Sequence, residues 1–269
     1  DVAAIRRLAV IGPNAVYGQI QGGGSSGVNP HYAVMPLDAL RRRLPETEIV
    51  HARGAVNHKY VPLPEPGTLR PASDDASEGL WLEVFPDAGF SSEPASGRVV
   101  PAAVAPLAAL PLAAYAGPLG RQAFGARLTA DYLPVESGEH EIGFSASGPA
   151  RLWLDDTLLI DLWEAREPGD TFFGRGSAER RARATLREGR RHRLRIEFEN
   201  AVAADDLSGI RLGIAPAPED DLIGSAEAAA RDADAVVLVV GSNPDWESEG
   251  HDRRDLDLPG GQDALVSRV

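Results

Sequence analysis

"SAEAAARDADAVVLVVGS" (Ser225–Ser242) reads as a helix, a turn and a strand in direct succession. Ser225 is the expected N-cap of an Ala-rich helix, and an Asp-containing turn follows. The run Ala235–Val240 is apolar throughout and mostly β-branched, the composition of a strand covered on both faces. The same grammar opens the chain. "RRLAVIG" (Arg6–Gly12) is a short apolar run ending on Gly12-Pro13, as a buried parallel strand should. "PLDALRRRL" (Pro36–Leu44) places Leu37, Leu40 and Leu44 on one helical face behind a helix-starting Pro. "EIVHARG" (Glu48–Gly54) supplies a second strand.

Between these flanks the period changes. From about Pro64 to Pro218 Pro and small residues cluster, and short alternating runs appear: "GEHEIGFSASG", "ARLWLDDTLLIDLW" and "HRLRIEFEN". Period-2 spacing bounded by Gly, Asp or Asn indicates an all-β sandwich or barrel. An α/β layer that stops and then resumes implies insertion of one domain into another, tolerated where the host's two ends lie close in space. The expected fold is therefore α/β plus all-β. A three-layer α/β sandwich domain, split into residues 1–65 and 219–269, is interrupted by an antiparallel β-sandwich at 66–218. Trp153 and Trp163 are expected in the core of that sandwich.

Lys and Arg number 27 and Asp and Glu 40, so the net charge is 27 − 40 = −13. An acidic surface argues against nucleic acid or an anionic membrane as partner and suits a neutral ligand such as a sugar. With no Cys, neither disulfides nor thiolate metal sites are available, which fits the cytoplasm without excluding secretion. The chain opens and closes in the middle of a pattern and reads as a piece of a longer protein.

Five stretches in the flanks, "LAVIGPNA", "GGGSSGVNP", "ADAVVLVVG", "ESEGHDR" and "LPGGQDALV", occur in the order found in glycoside hydrolase family 3, which the chain resembles. The middle segment resembles a PA-14 (protective-antigen-type) β-sandwich through "GEHEIGFSASGPARLWLDDTLLIDLW" and "LREGRRHRLRIEFEN". The family resemblance implies a β-glucosidase type of enzyme. Its (β/α)8 barrel carries an Asp nucleophile, and its following α/β domain carries the acid/base on a loop. This chain is similar to the second domain alone, so the barrel would be a missing partner and the isolated chain would be inactive. Two carboxyl groups suffice for retaining hydrolysis, so neither metal nor organic cofactor is expected.

The resemblance maps the acid/base to Glu249, directly before Gly250, with Glu247 as its rival. Taken without the family, acidic loop residues are simply solvated. Asp252 and Arg253 are expected to shape the loop through a charge-assisted pair. Trp246 either stacks on a sugar face or covers core.

"QGGGSSG" follows a strand but lacks the "GK[ST]" of a phosphate loop. It is either a linker or a rim loop in which Ser25 and Ser26 offer hydroxyls to sugar. In "EAREPGDTFFGRGS", Phe172 and Phe173 are candidates for the substrate mouth, with packing inside the module as the alternative. The pair Asp155-Asp156 is read as a turn rather than a calcium site. A second functional reading is a non-catalytic carbohydrate-binding protein that uses the β-sandwich.

Overall fold

A computed structural model describes residues 4–20, 30–71, 76–103, 109–200, 208–247, 253 and 255–269. In chain order the strands are β1 (Arg7–Ile11), β2 (Glu48–Ala52), β3 (Leu69–Arg70), β4 (Leu80–Phe85), β5 (Ser96–Val100), β6 (Phe124–Tyr132), β7 (Gly138–Ala146), β8 (Ala150–Leu154), β9 (Thr157–Asp161), β10 (Arg180–Leu186), β11 (His192–Asn200), β12 (Ile210–Pro216) and β13 (Ala235–Leu238). The helical segments are α1 (Pro36–Arg43), α2 (Leu112–Tyr115), α3 (Thr171–Gly174), α4 (Leu222–Arg231) and α5 (Gln262–Arg268). The chain forms two compact units: Asp1–Lys59 with Pro218–Val269, and Tyr60–Ala217.

In the first unit, β1 pairs in parallel with both β2 and β13, giving the order β13-β1-β2 among the described residues. Strand pleating sends alternate residues of β1 to opposite faces. Leu8 and Val10 meet Leu37, Leu40 and Leu44 of the α1 region, while Ala9 and Ile11 meet Ala226 and Ala229 of α4 and Leu265 of α5. That is the expected three-layer α/β sandwich, and the leucine stripe of α1 faces the sheet as its spacing requires.

Two local expectations need correction. The cap of α4 is Asp221, whose carboxylate accepts the Gly224 N–H at 2.8 Å, so Ser225 lies within the helix and its hydroxyl turns to Glu219. The "AVVLVV" run is also less buried than its composition suggests. Among the described residues β13 is an edge strand, and Val236 is 39% exposed.

In the second unit, all strand pairs among the described residues are antiparallel. One sheet runs β10-β7-β12; the other runs β5-β4-β6-β11-β8-β9, with β3 also on β6. Their facing sides make a single core in which Leu82, Leu128, Ile196 and Leu152 of the larger sheet oppose Ile142, Phe144 and Leu212 of the smaller. Each fully buried Phe, such as Phe144 or Phe198, contributes about 1.5–3 kcal/mol by leaving water.

The hairpin β8–β9 closes through Asp155 and Asp156 at φ 47° and 65°. This two-residue turn matches strand twist, and Asp tolerates the left-handed region better than most residues. Trp153 departs from its expected core position. It alternates with the buried Leu152 and Leu154, so it faces outward, where the Arg195 guanidinium lies 4.0 Å from its ring. Trp163 is likewise half-buried, with Arg151 at 4.8 Å.

The second unit begins at Tyr60, so residues 60–65 pack with it. A buried ion pair accounts for this. Glu179 and Arg211 meet at 2.9 Å, the carboxylate accepts the Val61 N–H at 3.0 Å, and Arg211 donates to the Val61 carbonyl at 3.0 Å. The ring of Tyr60 lies 4.7 Å from the same guanidinium.

Candidate active site

β1 lies between β2 and β13, so the strand order reverses at β1, and in α/β sheets of this kind ligands bind outside the carboxyl ends of the strands at such a point. Three loops meet there, after Ile11, after Ala52 and after Leu238. Their first requirement is close backbone approach. Gly12, at φ 120°, lies against the Val239 carbonyl, leaving no room for a Cβ. The Val239 N–H in turn donates to the Ile11 carbonyl at 2.7 Å, continuing the ladder beyond β13.

Asparagines tie the loops together. Asn57 Nδ2 donates to Asn14 Oδ1 at 2.8 Å, and Asn14 Nδ2 donates to the Ser242 carbonyl at 3.1 Å. The Asn57 carbonyl accepts both Asn243 Nδ2 (3.1 Å) and the Trp246 indole N–H (2.6 Å). Asp245 accepts the Lys59 N–H at 3.2 Å, and Lys59 Nζ lies 5.7 Å from the Trp246 ring. Buried polar groups are costly unless paired, so this network fixes one arrangement of the loops.

Trp246 is thus held by its polar edge, half-buried in the loop base. Glu247 is exposed and forms an ion pair with Arg253 at 2.8 Å; Arg253 also donates to the Asp257 carbonyl. The partner of Arg253 among the described residues is therefore Glu247. Glu249 and Asp252, as well as Ser25 and Ser26, lie outside the described residues.

Phe172 and Phe173 belong to the second unit, and they differ. Phe172 is 7% exposed and Phe173 is 70% exposed. Both sit in the left-handed region, φ 55° and 57°, so α3 is a left-handed single turn. That conformation costs bulky residues roughly 1–2 kcal/mol each. The surrounding loop imposes it: Gly169 N–H donates to the Gly176 carbonyl, Ala178 N–H to Glu167, and Thr171 Oγ1 to Ser177. The Asp155 carboxylate is engaged by His192 Nδ1 at 2.8 Å and by the Arg193 N–H at 2.8 Å, a structural duty within the β8–β9 turn.

Sequence reading passed over Asn14, Asn57 and Asn243. All three lie in loops directly after strand signals, which is the cue that could have found them.

The family model for the glycosyl hydrolase family 3 C-terminal domain matches residues 3–269. This chain belongs to glycosyl hydrolase family 3. Its relatives include a β-glucosidase from Rhizobium radiobacter, 34% identical over 98% of this chain, and a probable β-glucosidase H from Aspergillus clavatus, 33% identical over 98%. Among solved structures, a β-glucosidase from Kluyveromyces marxianus superposes with a TM-score of 0.77 at 29% identity over 97% of the chain. The family 3 chain spans about a third of these proteins: 31%, 32% and 31% of their lengths.

Proposed function

We propose that this family 3 chain is the acid/base-bearing part of a retaining β-glucosidase, with the nucleophile carried by sequence outside it. The observation that carries the reading is alignment over 98% of the chain with a protein named as a β-glucosidase. The clamped loop base fits the same reading. Glu249 is the proton donor, Glu247 and Arg253 brace its loop, and Asp252 shapes it.

In the first step the protonated Glu249 passes its proton to the glycosidic oxygen as the bond to the anomeric carbon breaks. The external carboxylate takes the anomeric carbon as a glycosyl ester. In the second step the Glu249 carboxylate removes a proton from water, which attacks the anomeric carbon and releases the nucleophile. Trp246, Ser25 and Ser26 line the sugar side. Phe173 touches the aglycone, with Phe172 packed beneath, on an inserted PA-14-like module. Isolated, the chain has the donor without the nucleophile and does not turn over.

The test is Glu249→Gln in the full-length protein. Hydrolysis of β-glucosides with poor leaving groups should fall by about 10²–10⁴-fold, while activated aryl glucosides, which need no protonation, lose far less. Equal losses on both would refute the assignment.

A further inference from the structure

The outward side of the larger sheet in the second unit carries two rows of side chains that the core does not use. Strand alternation sends Leu82, Leu128, Ile196 and Leu152 inward and their neighbours outward. One outward row is in register across four strands. Trp81 on β4 lies opposite Thr129 on β6, Thr129 opposite Arg195 on β11, and Arg195 opposite Trp153 on β8. The next outward row reads Glu83, Arg127, Glu197, Arg151 and Asp161, alternating in sign from strand to strand. Trp163 ends it: its backbone N–H donates to Asp161 Oδ1 at 2.8 Å, and the Arg151 guanidinium lies 4.8 Å from its ring.

Three of the chain's four tryptophans, each half-buried, thus belong to the side of the sheet that faces away from the core. Such a face is normally polar, and an indole there gains little from burial. Both rows are held in place. Arg127 bridges to Glu197 at 3.2 Å, Arg195 to Glu197 at 3.4 Å and Arg151 to Asp161 at 3.1 Å. The Arg195 guanidinium stacks 4.0 Å from the Trp153 ring. Trp81 leans onto Gly97 of β5, where a Cβ would come within 2.6 Å of its ring. Side chains ordered beforehand lose little freedom on binding.

The three carboxylates of these rows balance the three guanidinium groups, so the surface is neutral on a chain of net charge −13. A charged ligand gains nothing from it, and the centre of a protein–protein contact sheds charged residues. We infer that this face binds a neutral oligosaccharide, with the C–H faces of its rings on Trp81 and Trp153 and its hydroxyls on the ionic row. Indoles take apolar faces, carboxylates accept from hydroxyls and guanidinium groups donate to them. Trp81 and Trp153 stand three strand spacings apart, about 14 Å, so the ligand is a chain of sugars and not a single one. No residue of this surface belongs to the acidic loop or to the turn carrying Phe172 and Phe173.

The experiment uses the full-length protein and an S-linked cellopentaose, which resists hydrolysis whether or not the protein cleaves glycosides. The sugar should protect Trp81 and Trp153 from hydroxyl-radical oxidation, read residue by residue by mass spectrometry. Absence of protection at either ring overturns the inference, and this measurement needs no variant. In Trp81→Ala, read at Trp153, and in Trp153→Ala, read at Trp81, the sugar concentration for half-protection should rise by about tenfold or more. The corresponding tyrosine variants keep a ring and should change it by less than about threefold. No rise in any variant, or equal rises with alanine and tyrosine, overturns the inference; if the alanine variants fail to fold, the protection pattern of the unsubstituted protein decides. A change in sedimentation without a change in sugar protection would make the face a contact between copies and also overturn it. Turnover of a small aryl β-glucoside should be unchanged in all four variants. Protection in a protein that hydrolyses no β-glucoside would refute the enzyme reading and leave this one standing.

Discussion

The Glu247 carboxylate and the Arg253 guanidinium meet at 2.8 Å, so two residues six positions apart are joined side chain to side chain. The Arg253 guanidinium also reaches the Asp257 carbonyl, which ties this bridge to the backbone four residues further on. Glu247, the alternative acid in the sequence, holds Arg253 through this bridge.

Exchanging Glu247 for Gln should therefore act on geometry and not on proton supply. Nearly half of its side chain is exposed, so the stability cost should be about 0.2–1 kcal/mol. Any loss of turnover should be of similar size for good and poor leaving groups. A steep dependence on leaving group in Glu247→Gln, matched by none in Glu249→Gln, would exchange the two roles.

The two phenylalanines should separate cleanly. Phe172→Ala removes a buried ring and should cost about 3 kcal/mol in chemical denaturation. Phe173→Ala should change stability by less than about 0.5 kcal/mol while raising KM for aryl glucosides. Phe173→Gly should be more stable than Phe173→Ala by about 1 kcal/mol, because glycine occupies the left-handed region freely. An unchanged KM in both Phe173 variants would remove it from the substrate mouth.

Burial pushes the Asp155 carboxyl up, but hydrogen bonds from His192 and the Arg193 N–H, together with the His192 and Arg190 charges, outweigh it and leave the pKa below its ordinary 3.8. The Arg187 N–H also donates to His192 Nε2 at 3.2 Å, which holds the ring with Nδ1 facing Asp155. A carboxylate with a lowered folded pKa stabilises the fold above its unfolded value and loses that contribution as pH falls through the folded one. Asp155→Asn should thus cost about 1 kcal/mol at neutral pH, the partial exposure of the pair keeping the figure small. The difference from wild type should shrink as the pH drops below 3.8, as read by denaturant titration.

Arg211→Met should be more damaging. It leaves the buried Glu179 carboxylate without its principal cation, at a cost of about 3–5 kcal/mol. Burial already holds the Glu179 pKa above the ordinary 4.5, against the opposing Val61 N–H, Arg211 and Arg181. With a raised folded pKa, stability is greatest below the unfolded value and falls as pH rises through the folded one. The penalty of Arg211→Met should therefore be larger at pH 7 than near pH 4. A pH-independent penalty would show that lost packing against Tyr60, and not charge, is responsible.

The sequence by itself determined the layer order of this protein. Continuous apolar runs at Leu8–Ile11 and Ala235–Val240, a leucine stripe at Leu37–Leu44 and period-2 runs between them are local signals, because each strand or helix must bury one side or both. It also located the acidic loop, whose residues are contiguous. Only the tertiary structure decided which polar groups act together. Asn57 with Trp246 and Glu179 with Val61 are pairs far apart along the chain and joined through main-chain atoms, and backbone hydrogen-bonding groups are the same at every residue. Composition likewise could not tell Trp153 outside from Leu152 inside, since both are apolar and only the register of β8 against β11 assigns their faces.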